Sequence, residues 1–472
     1  MNQGKDLMYR FKAEREMHRS YNVSKIIDFE LNPEQTFRAR NLFVQIWSNV
    51  NTWSDLEKIE IDKINFGISI IRDYLRWGSP TIELKTNDFA QSLWFAIQRI
   101  VFLFDYFQQN KNIKTVILWD GVGRDSFLRD IAIANGIPTY LIHFYGPDMK
   151  GFLNFHFGDW FKHYKDFFNQ LSPREQKLGM EWAKRDLNER LQGGHGDTDV
   201  VSYMKKTVYS VEKTERVLAR NNKLKVLICP HAIDDDLYCN GWQIFSGMID
   251  WLDHLGKLSN QTNYDWYLKL HPIANERDQK YVEDFLQHYP NIKLIPTWTS
   301  PKQLKEEGIK FAFTIWGTIG HEYPALGIQV INAGNNPHIA FDFDLNPRTE
   351  EEFNNLVLNL EKVNHKIDIQ EIYKFYCVHF LYYEQPSRGR QYIFSKNPDL
   401  NPEPRFLNFK LEDFFGRYEK YLEEWTPEFH ELTKKNVKKL FKEMNNYREN
   451  IFYKKAPETI KQKLLSVGIN VD

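Results

Sequence analysis

The chain has 472 residues, of which 42% are hydrophobic and 26% charged, and its formal net charge at pH 7 is −1. This charge balance excludes an overall attraction to nucleic acid or anionic lipid. The composition excludes a disordered or fibrous protein. A chain of this length is too long for one ordinary core, so we expect two domains with additional helices.

The cysteines and the amino-terminal residues predict the cellular compartment of the protein. Cys229, Cys239 and Cys377 show no metal-ligand spacing, so reduced thiols in a reducing compartment are expected. The first twenty residues are polar, and apolar runs such as 100–106 are far shorter than the ~20 residues of a membrane helix. We therefore expect a cytoplasmic protein, at most peripheral at the inner face of the cytoplasmic membrane.

The first half of the chain alternates short β-branched runs with segments of helical period. A strand is predicted at 114–121, a helix at 127–135 and a second strand at 139–144. Ser172, Pro173 and Glu175 form a capping box with proline at the first helical position, which predicts a helix over 171–194. Residues 1–215 are therefore expected to form a Rossmann-like domain on the acceptor side of a cleft.

The second half repeats this alternation more regularly. Strands are predicted at 225–231, 265–272, 292–296, 310–317 and 329–334, and helices at 242–255, 276–288, 301–307 and 318–326. The pattern predicts a second doubly wound domain at 216–365, which would bind nucleotide, and a helical tail at 366–472 that packs back on the first domain. The predicted fold class is thus α/β, with two Rossmann-like doubly wound domains facing a cleft and extra helices at both ends.

Polar or aromatic residues lie at the carboxyl ends of six of the predicted strands. They are Asp120, His143, His231, His271, the Trp316-Gly317 pair and Asn332. Ligands of open α/β sheets bind at the carboxyl ends of the strands. We therefore expect most of these residues to line a cleft, although any one histidine at a strand end is more often structural.

The segment 316–334 contains a strand-to-helix turn. Free N–H groups at Gly317, Thr318 and Gly320 would suit a phosphate. Glu322 lies in the first helical turn, where a carboxylate can accept hydrogen bonds from ribose hydroxyls. The alternative is that Thr318 is an ordinary N-cap and Glu322 complements the helix dipole.

These residues also form a longer pattern. A strand ends in Lys-Leu-His-Pro at 269–272, and Gly-Thr-x-Gly-x-Glu-x-x-x-Leu-Gly-x-x-Val-Ile follows at 317–331. This pattern resembles the nucleotide-binding domain of GT-B glycosyltransferases. It is most similar to the bacterial capsule and surface-carbohydrate biosynthesis group, which includes the capsular Kdo transferases. The resemblance covers roughly residues 60–380.

The resemblance implies a GT-B fold and a metal-independent enzyme without a cofactor. The donor would be a nucleotide sugar, with CMP favoured, and the acceptor a capsular or other surface polysaccharide or glycolipid. The nucleotide-binding residues would be His271, Pro272, Trp316, Gly317, Thr318, Gly320 and Glu322.

No motif in the N-terminal half identifies the catalytic base, so several catalytic candidates are named. His271 would stabilise the leaving phosphate, and the acceptor base would be Asp120 or, failing that, Asp125 or His143. Arg124, His231, Asp235 and Asn332 are candidate substrate contacts. Asp235 lies in the run 234–236, whose three carboxylates also suit a metal, but a single carboxylate that contacts the acceptor is the preferred interpretation.

Other functions and partners remain open. A CDP-polyol phosphotransferase of the teichoic-acid type, a UDP-sugar 2-epimerase and a non-catalytic scaffold of a capsule assembly complex would all suit the predicted fold. No nucleic-acid partner is expected. The basic amphipathic segment 434–448 suits a peripheral contact with anionic lipid or, more simply, a solvated helix face.

Overall fold

A computed structural model of the chain describes residues 25, 27, 29–77, 81–118, 121, 123–142, 149–153, 158–194, 207–231, 233, 241–272, 274–384 and 426–470. The descriptions below concern these residues. The α/β class is confirmed, and helices flank the strands at both ends of the described chain.

The first described elements form a helical layer. Its elements are α1 (Pro33–Asn49), α2 (Trp53–Glu57), the hairpin strands β1 (Glu60–Ile61) and β2 (Ile64–Asn65), α3 (Gly67–Trp77) and α4 (Asn87–Gln109). The side-chain oxygen of Asn32 accepts a hydrogen bond from the backbone amide of Gln35, and the side-chain oxygen of Gln35 accepts one from the backbone amide of Asn32, so α1 begins with a capping box. Helix α1 packs along α4, and the buried face of α4 includes Leu93, Ile97 and Ile100.

A small sheet follows. It consists of β3 (Val116–Leu118), β4 (Thr139–Leu141) and β5 (Met149–Lys150), and α5 (Arg124–Ala134) connects the parallel strands β3 and β4. Gly121 has a φ of +66°, and its carbonyl accepts a 2.6 Å hydrogen bond from the buried side chain of Arg129. Arg129 also bonds to Asp130 through two nitrogens, so the guanidinium that holds Gly121 is part of a buried ion pair.

The larger sheet has five parallel strands. They are β6 (Lys225–Ile228), β7 (Asp265–Leu268), β8 (Ile292–Leu294), β9 (Ile309–Thr314) and β10 (Gln329–Asn332), arranged in the order β10-β9-β6-β7-β8. The first strand along the chain is therefore central, and the strand order reverses between β6 and β9. In a doubly wound sheet, such a switch point leaves a crevice at the carboxyl ends of the strands.

Helices connect the strands of this sheet. They are α8 (Met248–Ser259), α9 (Glu276–His288), α10 (Pro301–Glu307), α11 (Ile319–Ala325) and, after β10, α12 (Glu350–Leu358). The core between sheet and helices includes the buried rings of Trp251, Trp266 and Phe313. The ring of Trp266 stacks on Phe313 with 5.5 Å between centroids, which links β7 to β9 across β6.

The helix predicted at 242–255 is shifted in the structure, where it begins at Met248 and ends at Ser259. The segment before it pairs with the end of β10, since Gln243 bridges to Gly334 and the amide of Ile244 donates to Ala333. The amide and hydroxyl of Ser246 both donate to Asp250 at 3.0 Å, and this local bonding precedes the helix start.

Most of the remaining helices form an aromatic-rich layer. They are α6 (Tyr164–Asn169), α7 (Pro173–Leu191), α13 (Ile369–Tyr376) with the π-helical turn Cys377–Tyr382, and α15 (Pro457–Ser466), whereas α14 (Pro427–Asn446) packs on β5. The capping box predicted for α7 is present. Helix α13 and the π-helical turn pack on α7, and Trp182 donates to the carbonyl of Lys463 in α15. The tail thus contacts helices of the first half, while the boundaries 215/216 and 365/366 stay predictions.

Three other expectations concern cysteines and membranes. Cys229 and Cys377 are buried free thiols, and Cys239 lies outside the described residues. None of the described helices combines the length and apolarity that a bilayer span requires. Leu440 and Met444 of α14 are buried in a cluster with Tyr140, whereas Lys438 is exposed. Lipid contact through this basic helix stays a prediction.

The packing of α7 against the tail can be tested at Gly179. A β-carbon there would lie 2.3 Å from Sγ of Cys377 and 2.7 Å from the ring of Tyr382. Gly→Ala in a helix interior normally stabilises by up to ~1 kcal/mol. We expect Gly179→Ala to lower the free energy of unfolding instead, by about 1–3 kcal/mol, because the core is overpacked.

Urea unfolding measures this change, and Lys177→Ala, an exposed substitution in the same helix, is the control. An unchanged or raised free energy of unfolding in Gly179→Ala would show that α7 and the π-helical turn do not pack as described.

Candidate functional site

A pocket lies at the switch point of the five-stranded sheet. It encloses about 730 Å³ of empty space, part of which is open to solvent. Its described walls consist of Arg190, Thr207, Val208, Cys229, Pro230, His231, Lys269, Leu270, His271, Pro272, Thr314, Gly317, Thr318, Ile319, Glu322 and Tyr323. Most of these residues follow β6, β7 or β9, so the topology of the sheet brings them together.

Lys269 is the unusual member of this set, because it is a lysine that is only 6% exposed. Its ammonium group donates to the carbonyl of Thr297 at 3.2 Å and forms no salt bridge with a described residue. Burial lowers the pKa of Lys269, although the thiol of Cys229 and the carboxylate of Glu322 act in the opposite direction. A buried cation without a paired carboxylate favours an anionic ligand.

Two histidines face each other beside Lys269. The ring of His231 stacks on Trp316 with 4.3 Å between centroids, and its centroid lies 5.5 Å from that of His271. Burial, together with the neighbouring His231 and Lys269, lowers the pKa of His271 to about 3. His271 is therefore neutral at pH 7 and can donate one N–H while it accepts at the other ring nitrogen.

The turn after β9 forms another wall of the pocket. The amide of Gly317 donates to Oγ1 of Thr314 at 3.4 Å, and exposed Thr318 precedes α11 without a side-chain capping bond. Thr318 thus occupies the N-cap position of the alternative interpretation, but its side chain does not cap the helix. Gly320 is needed for a close approach, because a β-carbon there would lie 2.4 Å from Nε2 of His338. The phosphate contact predicted for this turn stays a prediction.

Glu322 belongs to a buried network at the pocket wall. Its Oε1 accepts from Nε of Arg190 at 2.9 Å, and its Oε2 accepts from the hydroxyl of Tyr209 at 2.9 Å. The guanidinium of Arg190 lies over the ring of Tyr209, 5.1 Å from its centroid. Each carboxylate oxygen thus already has one partner inside the protein. The ribose contact predicted for Glu322 stays a prediction.

Asn332 does not line the described pocket wall, unlike His231, His271 and Gly317, which were also predicted at strand ends. It is fully buried and donates to Asp344 and, at 3.3 Å, to Asn346. Nδ1 of the buried His338 lies 2.7 Å from the same Asp344. The reason is that the chain folds back after β10 and covers the strand end with residues 336–346. Asn332 therefore lies behind Gly320 of the turn, and the substrate contact predicted for it stays a prediction.

The acceptor-side candidates are only partly described. Asp120, His143 and Asp235 lie outside the described residues. Arg124 begins α5, and its half-exposed side chain donates to the buried Asp73 at 2.9 Å, while Asp125 is partly buried. Arg99 also contacts Asp73, at 3.4 Å, so two guanidinium groups share one carboxylate there. The roles of Arg124 and Asp125 stay predictions.

Sequence reasoning missed two cations of the pocket. Lys269 had a signal, since it interrupts an apolar strand two residues before His271, and alternate strand residues face the same side. Arg190 had none, because its partner Glu322 lies 132 residues further along the chain. Within the described ranges, no group of three histidine, cysteine or acidic residues has the geometry to hold a metal ion.

Comparisons with known proteins give only distant similarities. No family model and no curated protein matches the chain. Among solved structures it is similar to Thermosulfurimonas dismutans KpsC, a beta Kdo 2,4 transferase, with 13% identity over 55% of this chain and 78% of that one, at a TM-score of 0.32.

Two further structures also match. One is UDP-GlcNAc 2-epimerase from Neisseria meningitidis bound to UDP-GlcNAc, with 12% identity over 62% of this chain and 77% of that one, at a TM-score of 0.23. The other is S. aureus MnaA in complex with UDP, with 12% identity over 65% and 87%, at a TM-score of 0.25. Similarities this low carry no argument about activity.

The neutral state of His271 predicts a pH dependence of stability. Its pKa falls from 6.5 to about 3 on folding, so the native state binds fewer protons than the unfolded state between these values. His271 therefore lowers stability progressively as pH falls below 6.5. We expect His271→Gln to lose less of its melting temperature than wild type between pH 7 and pH 4.5.

Thermal melts at several pH values measure this difference. His288→Gln, an exposed substitution at the end of α9, serves as the control and should follow wild type. Equal losses in wild type and His271→Gln would contradict the buried, neutral state of His271.

Proposed function

We propose that the chain is a glycosyltransferase that holds the phosphate of a nucleotide-activated sugar in the pocket at the carboxyl ends of β6, β7 and β9. The observation that carries this proposal is the buried ammonium of Lys269, which lines the pocket and has no carboxylate partner among the described residues. A phosphate supplies the missing negative charge, and every nucleotide-sugar donor contains one.

The chemistry follows from the charges. During transfer, the bond between the anomeric carbon and a phosphate oxygen breaks, the anomeric carbon becomes bonded to the acceptor oxygen, and the leaving phosphate gains negative charge. Lys269 and the N–H of neutral His271 are fixed in the pocket before this charge develops, so they stabilise the transition state more than the ground state. The hydrogen bond from Lys269 to Thr297 helps to hold the ammonium in place.

The donor is proposed to be a CMP-sugar. The charged groups on the described pocket wall are Lys269, Arg190 and Glu322, two cations and one anion, which leave one net positive charge. The phosphodiester of a CMP-sugar carries one negative charge, whereas the diphosphate of a UDP-sugar carries two. This balance and the resemblance of the Lys-Leu-His-Pro segment support CMP.

The acceptor side of the proposal rests on the sequence. The acceptor is proposed to be a capsular or other surface polysaccharide or a glycolipid, because the motifs resemble those of capsule biosynthesis enzymes. Its hydroxyl would lose a proton to Asp120, or to Asp125 or His143. Closure of the cleft around both substrates would exclude water and suppress hydrolysis of the donor.

Nucleotide binding tests the donor. A ligand at about 100 times its dissociation constant adds about 2.7 kcal/mol to stability, which should raise the melting temperature of a chain this long by a few degrees. We expect CMP to raise it more than UDP does, and the CMP effect to disappear in Lys269→Met, which keeps the length of the side chain but lacks the charge.

The control variant is Lys302→Met, which removes an exposed lysine from α10 and should respond to CMP as wild type does. A preference for UDP would overturn the CMP-sugar proposal in favour of a UDP-sugar transferase or 2-epimerase. Release of CMP from CDP-glycerol would indicate a polyol phosphotransferase. No shift with any nucleotide would overturn the proposed function and leave a scaffold.

A separate experiment tests the acceptor base. If Asp120 takes the acceptor proton, Asp120→Asn should lower the transfer rate by a factor of about 100 or more, the usual contribution of a general base. Nucleotide binding, measured by the same thermal shift, should remain, because the binding pocket lies in the five-stranded sheet.

The matched variants are Asp125→Asn and His143→Gln. If Asp120→Asn retains full activity, the base is another residue, and loss of both transfer and nucleotide binding would assign Asp120 a structural role.

A further inference from the structure

Arg190 occupies an unusual position on the pocket wall. It lies in the last turn of α7, a helix of the first half of the chain, and it is 3% exposed. Its Nε donates to Glu322, but its Nη1 is buried and has no hydrogen-bond partner in the described part of the protein. Buried donors are rarely left without an acceptor, so this N–H points to a ligand.

Glu322 holds the guanidinium in this position. Burial opposes the charge of Arg190, but the charge of Glu322 and its hydrogen bond outweigh burial, so the pKa of Arg190 is raised. The ring of Tyr209 supports the guanidinium, and the Tyr209 hydroxyl donates to the second oxygen of Glu322. Both carboxylate oxygens thus fix the network around Arg190.

We propose that Arg190 is an anion-binding residue of the pocket and that Glu322 is a positioning residue, which orients Arg190 and does not contact the ligand. The inference rests on the proposed function and extends it to a second cation. Lys269 binds a phosphate oxygen from the sheet and Arg190 binds one from α7, so the ligand phosphate connects two elements from distant parts of the chain.

A charge-balanced pair of variants tests this assignment. Arg190→Gln alone would leave Glu322 buried without its cation, so the substitution is combined with Glu322→Gln. The double variant removes one positive and one negative charge and keeps the net charge of the described pocket wall. A change in affinity then reports the loss of the guanidinium and not a change in long-range electrostatics.

Calorimetric titration of the full chain with CMP and, separately, with inorganic pyrophosphate gives the readout. We expect the double variant to bind both probes about tenfold or more weakly, the scale of one charge-assisted hydrogen bond. Glu322→Ala alone should also bind both probes more weakly, because Arg190 loses the acceptor that orients it, and Glu322→Gln should bind more tightly than Glu322→Ala, because the glutamine oxygen can still accept from Arg190. Circular dichroism and thermal melting confirm folding, and Lys184→Gln, exposed on the same helix, is the control.

Three other results would each contradict a different part of the proposal. If wild type binds CMP or pyrophosphate and the double variant binds it equally well, Arg190 is not a ligand residue, while the proposed function stands. If Glu322→Gln weakens CMP binding tenfold but leaves pyrophosphate binding unchanged, Glu322 contacts the ribose and is not merely a positioning residue. If wild type binds neither probe, this inference and the proposed function both fail.

Discussion

Burying the ammonium group of Lys269 carries a desolvation cost that the surrounding pocket must offset. Among the described residues, only the carbonyl of Thr297 accepts a hydrogen bond from this ammonium. Burial lowers the pKa of Lys269 and the carboxylate of Glu322 acts to raise it, but the carboxylate oxygens are bonded to Arg190 and Tyr209. The position is nevertheless fixed, because Lys269 directly follows β7, which is hydrogen-bonded on both sides within the sheet. The sheet thus holds a cation where its charge is only partly compensated, and an anionic ligand completes the balance.

The neutral state of His271 follows from the same constraint. Burial, and then the neighbouring His231 and Lys269, disfavour a further positive charge there, so the pKa of His271 falls to about 3. A neutral imidazole can orient a ligand by donating and accepting hydrogen bonds without adding charge. The stack of His231 on Trp316 keeps one ring face covered and limits the directions from which a ligand can approach.

Local sequence signals were sufficient for much of the fold. The capping residues of α7, the α9 boundaries at Glu276 and His288, and the strands of the large sheet agree with the structure because each depends on neighbouring residues. The helix after β6 starts later than predicted because residues 242–244 bond to residues 333–335, which follow β10, a contact that no local pattern contains. The same reasoning found His231, His271 and Gly317 at strand ends but not Arg190, which reaches the pocket only through tertiary packing.

The turn between β9 and α11 shows how a second layer supports the pocket. His338 fills the space behind Gly320 so closely that a β-carbon cannot be added without displacing it, and Asp344 lies beside the other ring nitrogen. Asn332 donates to the same Asp344, so the end of β10 joins this buried cluster behind the turn. The position of the turn that carries Gly317 and Thr318 therefore depends on the buried cluster of His338, Asp344 and Asn332. Residues that do not line the pocket thus help to determine its geometry.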